Sequence, residues 1–369
     1  MIEIKEVSYV NKGVLYTLLI VIIVAISFVY VSLGLRFIET EIPKAITIID
    51  SLNRTVTFKN LPMKIVVASD TGGVTIVEIL YMFRTSVDKV IAMDSWGIRN
   101  NPLINMLDPN LKNKILFEKT PTVEEIIKLQ PDLVITRSYM AASIGKQLES
   151  VGVKLIYLDL ETPEAFFKSV RILGKVLGEE NRAEELVSYM NGIITGISSR
   201  ISGIPNKPKV LFLWYTVKAY RIPASGFLQN LLIELAGGIS LSREVSGIGF
   251  PRVSPEQIVV WNPDIIFVTT YSDNPSQTYA VNAILNDYKL SMVKAVKENR
   301  VYPVPGIVIT WDAPGTRWPL CIAYMASMMY PNIFGDINVV KSFAVSYYMK
   351  IYEISREIAE ALVEREFKF

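Results

Sequence analysis

One pattern occurs twice in this chain, and it dictates the architecture more than any other feature. Thr122-Val-Glu124-Glu125-Ile126 runs through Pro131-Asp132 into the apolar stretch Leu133-Val-Ile135, and Ser254-Pro-Glu256-Gln257-Ile258 runs through Pro263-Asp264 into Ile265-Ile-Phe267. The offset is constant, 256 − 124 = 132, and there is no gap. Each copy has a direct physical reading. The hydroxyls of Thr122 and Ser254 accept from a free N–H at a helix start, and Glu125 and Gln257, three residues on, complete a capping box. Pro255 suits the first helical position. A helix of about two turns then ends before Pro131 or Pro263, because the residue preceding proline is pushed out of the α region. The apolar run that follows is a buried strand. Two such helix–turn–strand units, a domain's length apart, predict two similar α/β lobes.

The rest of the chain fills in around them. Ile46–Phe58 alternates polar and apolar about a turn of Asp50, Ser51 and Asn53, a hairpin signal. Lys64–Ala68, Lys89–Met93 and Lys154–Leu158 read as strands of the first lobe, and Lys209–Leu213 and Arg300–Val304 as strands of the second. The first strand runs into Ser69-Asp70-Thr71-Gly72-Gly73, a glycine-bearing loop that lacks the spacing of a nucleotide fingerprint. From Pro163 to Ser202 helix formers dominate, and the stretch Glu180–Ile201 predicts a helix roughly 30 Å long that acts as a strut between lobes. The predicted fold is two Rossmann-like α/β lobes joined by one long α-helix, preceded by an N-terminal transmembrane helix. Its boundaries are a short tail over 1–13, the anchor over 14–35, an N-terminal lobe over 45–178, the connecting helix over 179–203, a C-terminal lobe over 204–340 and a C-terminal helix over 341–369.

Composition narrows the chemistry. Val14–Leu35 is 22 residues without a charge, long enough for the roughly 30 Å hydrocarbon core, and it ends without a small-x-small cleavage site, so it reads as a membrane anchor rather than a cleaved signal. Lys5 and Lys12 before it and Arg36 and Lys44 behind it leave the orientation undecided by charge. Histidine is absent, which removes Ser-His-Asp and Cys-His catalysis, the usual zinc sites and imidazole ligation of haem. The single Cys321 lies in an apolar run and reads as a small core residue. A net charge of +2 without a basic block argues against nucleic acid as a partner.

In open α/β sheets ligands bind beyond the carboxyl ends of the strands. The segments predicted there carry Trp96, Arg99, Arg137, Tyr139, Trp214, Tyr215, Arg221, Tyr271, Trp311, Arg317 and Trp318. Rings supply area and guanidinium groups supply paired donors, so this set suits a bulky ligand bearing oxygen atoms or negative charge.

From Ile46 to Phe334 the chain resembles the substrate-binding proteins of the iron-siderophore, cobalamin and haem class of ABC importers. The resemblance rests on the opening hairpin, the two repeated units, Leu235-Ala-Gly-Gly238 followed by Arg252-Val-Ser-Pro-Glu256, and Tyr330-Pro-Asn-Ile-Phe334, in that order and spacing. It implies a fold of two lobes with a rigid connecting helix and no enzymatic activity. It also implies a permease dimer with its ATPase as partner, and residence on the extracytoplasmic side of the cell membrane. In proteins of this class an acidic residue at the tip of each lobe docks on the permease, and Glu124 and Glu256 hold the matching positions. No intrinsic cofactor or resident metal is implied. The ligand is open between a ferric-siderophore-type chelate, which arginines and aromatics suit best, and cobalamin or haem; without histidine only tyrosines such as Tyr139, Tyr215 or Tyr271 are left to meet an iron. The competing class is an enzyme on the same fold, such as a chelatase, with Asp94 and Asp312 as bases; an anchored sensory protein is a third reading.

Overall fold

The computed structural model describes residues 12–32, 45–70, 72–272, 275–307 and 309–368. They form two compact units, one within Met1–Lys44 and one from Ala45 to Phe369. In the first, Lys12–Ser32 is a 21-residue α-helix whose described side chains are exposed. The apolar run is thus helical as expected. Among the described residues no helix is long and apolar enough to cross a membrane, so the expected transmembrane helix is not shown. Most of the tail read over 1–13, and the last residues of the anchor, lie outside the described residues.

The second unit opens with the expected hairpin, β1 (Ile46–Ile49) against β2 (Thr55–Phe58). Asp50 builds its turn by accepting from the backbone N–H groups of Leu52 and Arg54, each at 3.0 Å. The first lobe is a parallel sheet of β3 (Ile65–Val67), β4 (Val90–Asp94), β5 (Ile115–Phe117), β6 (Leu133–Arg137) and β7 (Leu155–Leu158) in the order β5-β4-β3-β6-β7. The second is a mixed sheet of β8 (Lys209–Thr216), β9 (Ala219–Arg221), β10 (Ile239–Ser240), β11 (Arg252–Val253), β12 (Ile265–Thr269) and β13 (Val301–Pro303). Its parallel centre is β8-β12-β13, with β9 and β11 added antiparallel at one edge. In each sheet the order reverses beside the strand that follows the repeat, between β3 and β6 and between β8 and β12. Such reversals open a crevice at the carboxyl ends.

The repeat folds as its chemistry dictates, with one difference. Thr122 accepts from Glu125 N at 3.3 Å while Glu125 accepts from Thr122 N at 2.7 Å, so the first copy is a full capping box. In the second, Ser254 accepts from Gln257 N at 3.1 Å, and the reciprocal Gln257 bond is not among the described contacts. The helices Val123–Lys128 and Pro255–Trp261 both end through a left-handed residue before proline, Gln130 at φ 50° and Asn262 at φ 45°. The aspartate after each proline has a role that capping alone does not suggest. Asp132 Oδ2 accepts from Met63 N at 2.9 Å and Lys64 N at 2.8 Å, and Asp264 Oδ2 accepts from Lys209 N at 2.7 Å. Each therefore holds the start of the strand that pairs with its own, β3 or β8, by charge-assisted bonds.

The helix Pro163–Leu177 closes through Gly178 in the left-handed region (φ 74°), and the connecting helix Glu180–Ile201 follows, about 33 Å long. Arg182 on it donates to the carbonyls of Lys350 (3.0 Å) and Ile351 (2.9 Å), tying it to the last part of the chain. That part, read from sequence as one helix over 341–369, is two: Ile337–Tyr352 and Arg356–Glu366, divided at Glu353 (φ 53°) and restarted by Ser355 as N-cap. Cys321 is buried in the core, as expected.

Candidate functional site

The carboxyl end of the first sheet carries Ser69 and Asp70 after β3, Asp94 at the end of β4, and Arg137 and Tyr139 at and after β6. Tyr139 donates to Asp70 Oδ1 at 2.6 Å, and Gly72 N donates to the same oxygen at 3.0 Å. Gly72 has to be small, because a Cβ there would lie 2.5 Å from the Tyr139 hydroxyl. Tyr139 is half exposed, and burial of its other half together with Asp70 pushes its pKa up to about 12. Arg137 is buried beneath it, with its guanidinium 5.4 Å from the Tyr139 ring, donating to Glu161 at 2.5 Å and to Thr75 Oγ1 at 3.3 Å. Asp94 is buried and accepts from Ser69 N at 3.1 Å; burial raises its pKa to about 8, so it is predominantly protonated at neutral pH.

The second sheet supplies a more aromatic wall. Trp214 packs edge-on against Phe250 (5.6 Å) and Tyr271 (5.5 Å), with the Arg221 guanidinium 5.5 Å from its ring. Its indole N–H donates to the carbonyl of Thr270 at 3.0 Å. Tyr271, in the left-handed region at φ 48°, donates to Asp312 Oδ2 at 2.5 Å, and Gln229 Nε2 donates to the same carboxylate at 2.9 Å. Burial and then Asp312 drive the Tyr271 phenol upward, and burial raises Asp312 against its hydrogen bonds. Buried polar atoms without a hydrogen-bond partner occur on both walls: Asp94 Oδ1 and Arg137 Nε on one, Gln229 Oε1 on the other. Such groups are a mark of sites completed by a ligand or by water.

The two walls are joined by contacts of the segment 312–318. Gly315 lies against Thr75, where a Cβ would sit 3.4 Å from the threonine methyl, and Thr75 is the residue that accepts from Arg137. Arg317 pairs with Glu78 at 2.7 Å and Glu366 at 3.0 Å, all three buried. Burial works against the Arg317 charge, but Glu78 first among its neighbours holds its pKa above the ordinary value.

Several residues expected at the ligand are therefore elsewhere. Arg317 is the cation of a buried ion triad. Trp318 is buried against Phe166 and Phe167, at 5.6 and 5.7 Å, and Trp311 is buried against Tyr324 and Phe367. The stretch Trp214–Arg221 is not a loop but the hairpin β8–β9, and strand alternation puts Tyr215 on the face opposite Trp214, against Tyr220 and Tyr279. Trp96 is exposed at the rim after β4, and Arg99 is held in an exposed pair with Glu118. The residues brought together at the strand ends are Arg137 and Tyr139 on one wall and Trp214, Arg221 and Tyr271 on the other. Asp70, Asp94, Gln229, Phe250 and Asp312 join them without having been expected as ligand contacts. Glu124 and Glu256 are both exposed in the first turns of their helices. Backbone and Ser254 hydrogen bonds hold the Glu256 carboxyl below its ordinary range. Among the described residues no cluster of three or more His, Cys, Asp or Glu forms a metal site.

A cavity of about 320 Å³ elsewhere, lined by Ile193, Ile197, Phe334 and Phe343, is apolar and lacks the convergent polar groups of a specific site.

A family model described as "Periplasmic binding protein" matches residues 71–307. The molybdate-binding protein MolA of Haemophilus influenzae is 24% identical over 346 residues, 87% of this chain and 92% of that protein. The achromobactin-binding periplasmic protein of Dickeya dadantii is 23% identical over 254 residues, 64% of this chain and 80% of that protein. A periplasmic solute-binding protein of Veillonella parvula has the same fold, with a TM-score of 0.71 at 24% identity over 87% of this chain and 97% of its own.

Proposed function

We infer ligand and location from one premise: the chain belongs to the periplasmic binding protein family and is the substrate-binding component of an ABC importer. Its ligand is a ferric chelate of the siderophore type, taken up between the two rows of strand ends and handed to the permease. The observation that carries this reading is the composition of the walls. Trp214, Phe250 and Tyr271 form a continuous aromatic surface, which suits an organic ligand of some size. Arg137 and Arg221 provide donors for its oxygens. A relative that binds achromobactin fits this class of cargo.

The molybdate-binding relative makes a bare oxyanion the natural rival. Charge favours the chelate. Asp70 and Asp312 stand among the strand-end groups, so an uncovered dianion there would face two carboxylates against two arginines, one of which, Arg137, is already paired with Glu161. A chelate spreads its charge over a large surface and presents apolar faces as well. Cobalamin and haem remain the alternatives within the aromatic class.

By this reading the apolar run Val14–Leu35 anchors the protein in the cell membrane, since 22 residues without a charge suit the roughly 30 Å hydrocarbon core. Its soluble unit then stands on the extracytoplasmic side, and Glu124 and Glu256 dock on the permease dimer that works with the ATPase. The experiment is a tryptophan-fluorescence titration with ferric hydroxamates, ferric catecholates, cyanocobalamin, haemin and molybdate, repeated with Trp214→Phe. Saturable quenching by a ferric chelate that Trp214→Phe largely removes is the expected result. Binding of molybdate or cyanocobalamin alone would replace this ligand with the rival.

A further inference from the structure

One buried polar side chain is used by neither wall. Gln277, the first residue of the helix Gln277–Leu285, is 8% exposed, and its Oε1 has no hydrogen-bond partner among the described residues. It lines a cavity of about 320 Å³ together with Ser272, Ser276, Gly306, Arg365 and Lys368. None of these residues belongs to either strand-end wall, and an unsatisfied buried amide in a cavity is a mark of a site that a ligand completes.

Two elements meet at this cavity. On one side Ser276 caps the helix by accepting from Tyr279 N at 3.2 Å, which leaves its hydroxyl proton to donate. The N–H groups of Gln277 and Thr278, in the first turn, have no partner within the helix, and the positive end of the helix dipole lies with them. On the other side is the end of the last helix, Arg356–Glu366, fastened there by Gly306 N, which donates to Glu366 O at 3.1 Å. It brings Arg365 to the cavity, with Lys368 just beyond it. Neither cation takes part in an ion pair among the described residues, and no acidic side chain is among the described lining. Two cations and a helix start call for an anion. The buried Oε1 calls for a donor. Sulfate offers acceptors alone and water has no charge, so neither answers both demands. Hydrogen phosphate does, with two negative charges, acceptor oxygens and one O–H.

We propose that this cavity is a second binding site, for inorganic phosphate in its protonated form, separate from the cleft that takes the importer's cargo. Arg365, Lys368 and Ser276 donate to the phosphate oxygens, and the phosphate O–H donates to Gln277. Because the cations come from the last helix and the helix start from the second lobe, the bound ion holds the two together and stabilises the folded chain by mass action. A phospholipid headgroup shares the phosphate, but as a diester it lacks the P–O–H that Gln277 requires.

The test is isothermal titration of the full-length chain in detergent, at constant ionic strength, with inorganic phosphate, sulfate and glycerophosphoglycerol, the headgroup diester of an anionic lipid. Phosphate is expected to bind at least about tenfold more tightly than the other two, and Arg365→Gln and Lys368→Gln should each weaken it about tenfold. Gln277→Leu should erase the preference over sulfate. Its ligand-free melting temperature should hold or rise, since no side-chain hydrogen bond is lost, whereas a purely structural glutamine would lower it. Equal binding of phosphate and sulfate by the unaltered chain, or phosphate binding unchanged in all three variants, overturns the proposal. Tighter binding of the diester gives the site to a lipid headgroup and overturns inorganic phosphate as its ligand. No binding of any of the three at about 10 mM overturns the site itself. Each outcome is independent of whether a ferric chelate binds in the cleft.

Discussion

Replacing Arg317 with methionine separates two readings of this residue, a contact to the ligand and a brace between lobes. Its guanidinium joins Glu78, on the helix that begins the first lobe's site, to Glu366 in the last helix; Glu78 is 0% exposed and Glu366 4%. Methionine keeps most of the volume but leaves two buried carboxylates without their cation. Breaking a buried pair in this way costs about 3–5 kcal/mol, or roughly 6–10 °C in melting temperature at about 2 °C per kcal/mol for a chain of this size. The loss should depend on pH. Burial already raises the Glu78 carboxyl pKa against the lowering effect of Arg317, so without Arg317 it stands further above the unfolded reference of about 4.3, the folded state binds more protons than the unfolded one, and stability falls as pH rises through that window. Thermal and urea melts at pH 5 and pH 8 should therefore show the larger deficit at pH 8. Adding Glu78→Gln and Glu366→Gln should recover part of it. A deficit below about 1 kcal/mol that is the same at both pH values, combined with loss of ligand binding, would refute the brace and restore Arg317 to the ligand.

Three further outcomes follow from particular contacts. Asp132→Ala removes the acceptor of two strand-start N–H groups and Asp264→Ala that of one N–H group and the Lys294 ammonium; urea melts should show a loss of about 1–3 kcal/mol for each, with Gly–Ser insertions in exposed loops costing less. Asp94 has its folded pKa raised to about 8, so its contribution declines as pH rises from about 4 to 8, at up to about 1.4 kcal/mol per pH unit; Asp94→Asn should flatten that slope in a stability-versus-pH series. Glu124→Lys and Glu256→Lys together should abolish stimulation of the reconstituted permease and ATPase while ligand binding stays within about twofold, and an unaffected ATPase rate would favour a sensory role.

The lobes were legible because the repeat is built from local chemistry. Thr122, Ser254 and the Pro-Asp pairs act within a few residues of themselves, so caps, helix ends and the following strands could be placed without tertiary information. The long connecting helix was equally plain from composition. The side a residue faces was harder. Trp214 and Tyr215 are equivalent by type and adjacent in sequence, and only the phase of β8 separates the aromatic wall from the outer core. The segment 305–319 has no periodicity, which made Trp311, Arg317 and Trp318 look like ligand groups when they are packing and charge pairing. One signal in the sequence did point to Arg317: Glu78 is the lone acid in the apolar helix Gly73–Tyr81, and a carboxylate in such a helix needs a buried cation. Asp70 and Asp312 gave no comparable sign, because their partners are Tyr139 and Tyr271, distant in sequence from both.

An iron-edge anomalous difference map from crystals grown with a ferric chelate tests the central claim most directly. The account predicts one strong peak between the carboxyl ends of β6 and β12, beside the Trp214 ring. A peak elsewhere, such as the Ile193–Phe343 cavity, or saturating chelate with no peak at the strand ends, would contradict it.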